Sequence, residues 1–254
     1  DDTLGVALAA AYTDEPYQLQ EFNAWGYAGD GTPGNPYIIG GNKSFVTSTR
    51  LKRFGVNGTL QYQASPNFMV TVDGFYSSFD DDQSKRGIEL PLFWSGASLQ
   101  DDYSASDGLI TQGAFDDVEG VLRNDAFQRH AKLYSFGWNN TWKGDDGWNA
   151  VADVSYSRTD RNELVVETYS GTGRAGEGAT DTIGFSSSSG GTVFTHLLDY
   201  ADYDLIQLTS PQGWGGTQIG PDGTTITGGQ DGYYNDRKIR DELWQLRLEV
   251  AAEL

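Results

Sequence analysis

Apolar and polar residues alternate with a period of two in six segments of the chain, the signal of strands with two unlike faces, and helical periodicity is poor almost everywhere. In the second segment Phe54, Val56, Gly58, Leu60 and Tyr62 form an apolar row against Gly55, Asn57, Thr59, Gln61 and Gln63. After a turn at Ser65, Pro66 and Asn67, the third sets Phe68, Val70, Val72, Gly74 and Tyr76 against Thr71, Asp73 and Ser77, with Met69 and Phe75 blurring the polar row. The fourth sets Tyr134, Phe136, Trp138 and Trp142 against Ser135, Gly137, Asn139 and Thr141, with Asn140 as a polar intruder. The chain then turns at 144–147, and the fifth sets Trp148, Ala150, Ala152, Val154 and Tyr156 against Asn149, Asp153, Ser155 and Ser157. In the sixth, Trp244, Leu246, Leu248, Val250 and Ala252 oppose Gln245, Arg247, Glu249 and Glu253. The first strand is less clean: Leu4, Val6, Leu8, Ala10 and Tyr12 alternate with Gly5, Ala7, Ala9 and Ala11, small residues that leave room for something packed closely behind them. The pattern predicts an all-β, antiparallel protein with strands near 3–14, 48–64, 68–82, 126–143, 148–166 and 237–254.

The connections alternate in length. Those near 65 and 145 take a few residues, while those at about 14–46, 82–125 and 165–236 are long. Short turns at one end and long loops at the other are the arrangement of a transmembrane β-barrel. Aromatic spacing supports that reading. Phe54 and Tyr62, Phe68 and Tyr76, Tyr134 and Trp142, and Trp148 and Tyr156 each stand eight residues apart on an apolar row. Eight residues at about 3.3 Å each, tilted by roughly 40°, climb about 20 Å, close to the apolar band of roughly 25 Å between the two aromatic girdles of such a barrel. Four matching strands favour a membrane band over the aromatic core of a soluble β-sandwich.

Composition removes other classes. No run of eighteen apolar residues offers a transmembrane helix. A formal net charge of -19 argues against a nucleic-acid partner, whose phosphates call for clustered Lys and Arg. Gly171, Gly173 and Gly176 spell G-x-G-x-x-G, but a Ser-, Thr- and Gly-rich stretch follows where a dinucleotide fingerprint must open a helix, so a flexible loop is expected. His130 and His196 are the only histidines and there is no Cys, which leaves no zinc or triad spacing. The acidic groups Asp80 to Asp82, Asp101 and Asp102, and Asp116, Asp117 and Glu119 lack EF-hand spacing and read as solvated loop. No catalytic residue, cofactor or metal site is expected. Because the chain opens inside an apparent strand, both ends are read as interior to a longer protein.

Two further groups are candidates for contact with ligand or lipid. Trp25, Tyr27, Trp94, Trp214 and Tyr233, with Tyr103 and Tyr234, lie among Gly, Asn, Asp and Gln in the long connections, a mixture that stacks on sugar rings and bonds hydroxyls, or else pins loops together. Counting along lipid-facing parity beyond the outer girdle places Arg50, Lys52, His130, Lys132, Arg158, Lys238 and Arg240 on the outer wall. Most charges there are positive, which suits lipopolysaccharide phosphates, although Asp160 and Glu242 share the wall.

Residues 53–90 resemble the barrel hairpin of TonB-dependent outer-membrane receptors: a Gly-containing strand ending Leu60, Gln61 and Tyr62, a Pro turn, then Val72, Asp73, Gly74, Phe75 and Tyr76 running into an acidic loop. Weaker likeness extends over most of the chain, including 148–158 and 241–254, and points to the proteobacterial branch that includes carbohydrate importers. The resemblance implies a twenty-two-stranded barrel in the bacterial outer membrane, with a plug energised through TonB and a scarce nutrient, an oligosaccharide or an iron chelate, as cargo. No plug, TonB box or terminal strand ending in an aromatic is recognisable in 1–254, so the chain is expected to be part of one barrel domain, with the plug as a partner outside it. On this reading Asn57, Gln61, Asp73, Asn139, Asp153, Gln245, Arg247 and Glu249 line the lumen, Arg247 pairing with Glu249 or with the plug. The competing expectation is a secreted, soluble, β-rich glycan-binding or adhesive module.

Overall fold

The computed structural model describes residues 3–252, and all regular structure there is strand. In chain order the strands are β1 (Leu4–Ala28), β2 (Ile38–Ser65), β3 (Phe68–Pro91), β4 (Ser98–Leu99), β5 (Ser104–Ser106), β6 (Leu109–Val118) and β7 (Val121–Lys143). They continue with β8 (Trp148–Gly171), β9 (Asp181–Ser188), β10 (Gly191–Thr195), β11 (Gln207–Leu208), β12 (Gln218–Ile219), β13 (Thr225–Ile226) and β14 (Gly232–Ala252). The six long strands form one antiparallel meander in the order β1, β2, β3, β7, β8, β14, and β11 continues the β8 edge past the end of β14. The sheet is open: among the described residues β1 and β14 do not pair with each other. Glu253, expected on the last polar row, lies outside the described residues.

The long strands carry 21 to 28 residues each, more than the alternation predicts. At about 3.3 Å per residue and a tilt of roughly 40°, 24 residues rise about 60 Å, more than twice the height of an apolar membrane band. The expected loop at 14–46 is largely ladder, because Glu15 pairs with Leu51 and the pairing continues to Ala28 with Ile38, leaving 29–37 as the connection. The reason lies in the side chains. Beyond Tyr12 and Phe54 both faces turn polar, so the hydrophobic alternation fades while the backbone ladder goes on. The other two long connections keep 92–120 and 172–231 outside the long strands, and there the chain builds a second sheet ordered β10, β9, β6, β4, with β5 also on β6.

Register puts all six apolar rows on one face. Directly opposed residues point the same way, and the ladder runs Val6 to Leu60, Leu60 to Val72, Val72 to Trp138, Trp138 to Val154 and Val154 to Leu246. Rings meet along one border of the band: Phe54 and Tyr76 at 6.4 Å, Tyr76 and Tyr134 at 5.2 Å, Tyr156 and Trp244 at 4.6 Å between centroids. Tyr62, Phe68, Trp142 and Trp148 mark the other border, Phe68 paired with Trp142. At that end the two tight turns are tied together, since Asn67 donates from its side chain to Asp145 at 2.8 Å and its carbonyl accepts the Lys143 amide at 2.9 Å. Gly147 closes the second turn at φ 80°, a conformation that side chains with a Cβ rarely adopt.

The buried core is elsewhere. Ile38, Ile39, Leu90 and Leu92 from β2, β3 and the residue after it pack on Ile110, Phe115, Val118, Ile183 and Phe185 of the second sheet, each contributing about 1.5–3 kcal/mol by leaving water. This core anchors the elaborated end of the meander. Among the described residues the apolar band has no such cover: Trp138, on a central strand, is 49 % exposed, and Leu248 is 72 % exposed.

Candidate functional site

The face opposite the apolar band is polar over the same height. Asn57, Gln61, Asp73, Asn139, Asp153, Gln245, Arg247 and Glu249, the expected lumen residues, all have the parity of this face. Some of them meet directly. Asn139 donates from Nδ2 to Asp153 at 2.9 Å, Arg247 lies opposite Asp153 in the ladder, and its guanidinium bonds Glu249 two residues along. On β1 the small residues Ala9 and Ala11 border a shallow hollow of about 280 Å³ with Asn57, Phe75 and Ser77.

Following this polar face toward the elaborated end leads to a cleft of about 540 Å³. Five consecutive strands supply it: Asn23 from β1, Lys43 from β2, Glu89 from β3, Arg123 from β7, and Glu167 with Tyr169 from β8. Asn23, Lys43 and Glu89 form one cross-strand row, and Arg123 lies opposite Tyr169. Trp25 and Trp214 complete the lining.

Arg123 is the hub. Its guanidinium donates to Glu89 at 2.6 Å, to Glu167 at 2.7 Å and to Asp125 at 2.9 Å and 3.2 Å, and it stacks on the Tyr169 ring 4.6 Å from the centroid. The Glu89 side chain is 2 % exposed and that of Arg123 is 9 % exposed, while Lys43 stands 3.7 Å from the second Glu89 oxygen. A fork of five N–H donors suits three carboxylates in a way an ammonium does not. Tyr169 donates its hydroxyl to Glu167 at 3.2 Å.

Two backbone features seat the tryptophans. Gly41 lies against Trp25 and Gly40 against Trp94, each so closely that a Cβ would fall 2.4 Å from the indole, so the Gly40–Gly41 pair accepts one ring on either face of β2. Trp214 is held between two bends: its carbonyl accepts the Gln230 amide at 2.9 Å, and the Gly229 amide donates to Gly216 at 2.9 Å. Arg174 braces Gly229 by donating to its carbonyl at 2.8 Å. The indoles of Trp25 and Trp214 then sit 6.0 Å apart at 55°, with Tyr169 edge-on to Trp214 at 6.0 Å.

Of the seven loop aromatics singled out in the sequence, Trp25 and Trp214 are therefore brought together, while Tyr103 and Tyr234 are not part of the lining. Tyr233 stands opposite Glu167 in the ladder and flanks the cleft, its hydroxyl accepting from Asn235 at 2.8 Å. Trp94 is on the other face of β2, and Tyr27, opposite Ile39, is not part of the lining. Tyr169, Arg123, Glu89 and Glu167 were missed. Extending the parity of Asp73, Asn139 and Asp153 along their own strands reaches each of them.

The face that carries the apolar band is mixed in charge beyond Tyr12 and Phe54, more so than the expected basic excess. Arg50, Lys52, Lys132, Arg158, Lys238 and Arg240 share one face, but the ladder places Asp14, Asp80 and Asp82 there too. Arg50 pairs with Asp14 at 2.7 Å, Arg158 and Arg240 both reach Asp160 at 2.8 Å, and His130 bonds Asp80 at 2.7 Å. Lys52, Lys132 and Lys238 form no ion pair among the described residues. The glycine motif at 171–176 begins at the last residue of β8 and opens no helix. Among the described residues no group of three His, Cys, Asp or Glu side chains is arranged to hold a metal. No family model, curated protein or solved structure matches the chain.

Proposed function

We propose that this chain forms part of the wall of a bacterial outer-membrane β-barrel, in a receptor that imports a nutrient and is energised by TonB through a plug packed against the polar face. The observation that carries the reading is the bare apolar band. Across six strands its face holds no charged residue between the two aromatic borders, Asn140 being its one polar amide, and it lacks the covering layer that a soluble sheet requires. Lipid supplies that cover. The free edges of β1 and β14 pair with the rest of the barrel, because hydrocarbon tolerates no unpaired strand edge. Small residues on the β1 polar face leave space for a plug. The protein acts by binding and passage, with no covalent chemistry.

Solubility is the test. Purified without detergent, the chain should aggregate, and detergent should relieve the aggregation. A monomer that unfolds cooperatively in plain buffer would overturn the membrane reading and leave the soluble glycan-binding or adhesive module as the alternative.

The same reading assigns the outer wall to the lipopolysaccharide leaflet, with the free ammonium groups of Lys52, Lys132 and Lys238 as phosphate contacts. Changing those three to Gln in the receptor should lower co-purifying lipopolysaccharide by half or more. Arg50 and Arg158, committed to carboxylates, should matter less when changed in the same way. Equal retention by all variants would remove the assignment.

A further inference from the structure

We infer that the cleft lined by Trp25, Trp214 and the Arg123 network binds an uncharged carbohydrate and rejects an anionic metal chelate. The inference rests on the receptor reading and narrows its cargo to one class.

Charge decides first. The network sets two cations, Lys43 and Arg123, against three carboxylates, Glu89, Asp125 and Glu167. All of the guanidinium's hydrogen-bonding edge toward these acids is in use, and Glu89 is almost fully enclosed. A polyanionic ligand would therefore meet a cleft whose two cations are already balanced by Glu89 and Glu167, with Asp125 adding a further negative charge on Arg123. The one strong anion-binding fork is occupied, and the ligand would have to displace a carboxylate to enter. A neutral polyol meets no such barrier.

The remaining groups suit hydroxyls. Glu167, one third exposed, offers acceptor capacity, Lys43, with 40 % exposure, offers ammonium donors, and the exposed Asn23 amide can do both. A sugar hydroxyl both donates and accepts, so it satisfies both kinds of group. Aromatic faces supply the apolar half of the contact. Trp25 and Trp214 touch each other, which leaves no slot between them for a sugar ring, and one face of Trp25 lies on Gly41. The pair therefore acts as a tilted platform on which a pyranose rests its C–H face, rather than as a sandwich.

The test is isothermal titration of the detergent-solubilised receptor with maltohexaose, xylohexaose and laminarihexaose, and with ferric citrate as the anionic chelate. At least one oligosaccharide should bind, with Trp25→Ala or Trp214→Ala weakening it tenfold or more and Trp214→Phe weakening it less. Ferric citrate should give no heat in competition with the sugar. Binding of ferric citrate at this site, or no response to any of the three sugars, overturns the inference. An unboiled electrophoretic shift of each variant reports whether the barrel is folded, so a folded barrel that fails to bind sugar refutes the cargo class alone.

Discussion

Val72→Arg and Leu248→Arg should each destabilise the folded receptor in lipid by about 2–4 kcal/mol, the cost of placing a guanidinium on the lipid face near the bilayer midplane. Both positions lie midway between the aromatic borders on the apolar face, Val72 opposite Trp138 and Leu248 opposite Ala152. Their neighbours Thr71 and Gln245 point to the other face, where Thr71 opposes Asn139 and Gln245 opposes Ser155. Thr71→Arg and Gln245→Arg should cost less than about 1 kcal/mol, because the lumen side stays hydrated. Guanidinium unfolding in vesicles measures all four. Similar losses on both faces would mean that neither face meets hydrocarbon.

Arg123→Met should loosen the elaborated end of the sheet by about 3–5 kcal/mol, the usual consequence of removing one partner from a buried ionic network. The substitution keeps most of the apolar stem but leaves Glu89, Asp125 and Glu167 facing one another, with Lys43 at 3.7 Å from Glu89 as the nearest compensation. Hydrogen exchange should rise at 121–125 and 167–171 and stay constant at the turns near 66 and 145. Arg123→Lys should recover part of the loss, since it restores the charge without the fork. Unchanged protection in Arg123→Met would show that the network contributes little to holding the five strands.

Strand phase was legible in the sequence because each apolar row keeps one parity from one aromatic border to the other. Strand length was not. Past Phe54 the β2 positions Lys52, Arg50 and Ser48 are as polar as their neighbours Arg53, Leu51 and Thr49 taken together, so hydrophobic contrast vanishes although the ladder with β1 and β3 continues. That loss of contrast also hid the cleft. Glu89, Arg123 and Glu167 looked like loop charges, whereas the long strands put them in one cross-strand cluster at the end of the polar face. Trp25 and Trp214 were recognised by type and surroundings. Their pairing across 189 positions depends on the Gly41 contact and the bends around Gly216 and Gly229, which no local pattern announces. The further acids of the outer wall, beyond Asp160 and Glu242, were hidden for a related reason: Asp14, Asp80 and Asp82 acquire their place only once the register of β1, β2 and β3 is known.

The facing of the sheet can be measured by single cysteines at Asn57, Asp153, Val56 and Val154 in the receptor; residues 1–254 contain no Cys, and any Cys elsewhere in the receptor is replaced first. Water-soluble maleimide labelling, normalised to the unfolded protein, reports which positions meet water. Adjacent residues of an unbulged strand must face opposite ways, and no register shift interrupts the pairing of β2 or β8 around these sites. Asn57→Cys and Asp153→Cys should label readily wherever the plug does not shield them, and Val56→Cys and Val154→Cys should be spared. Easier labelling at Val56 and Val154, or equal labelling at all four, would contradict the placement of the apolar band against lipid.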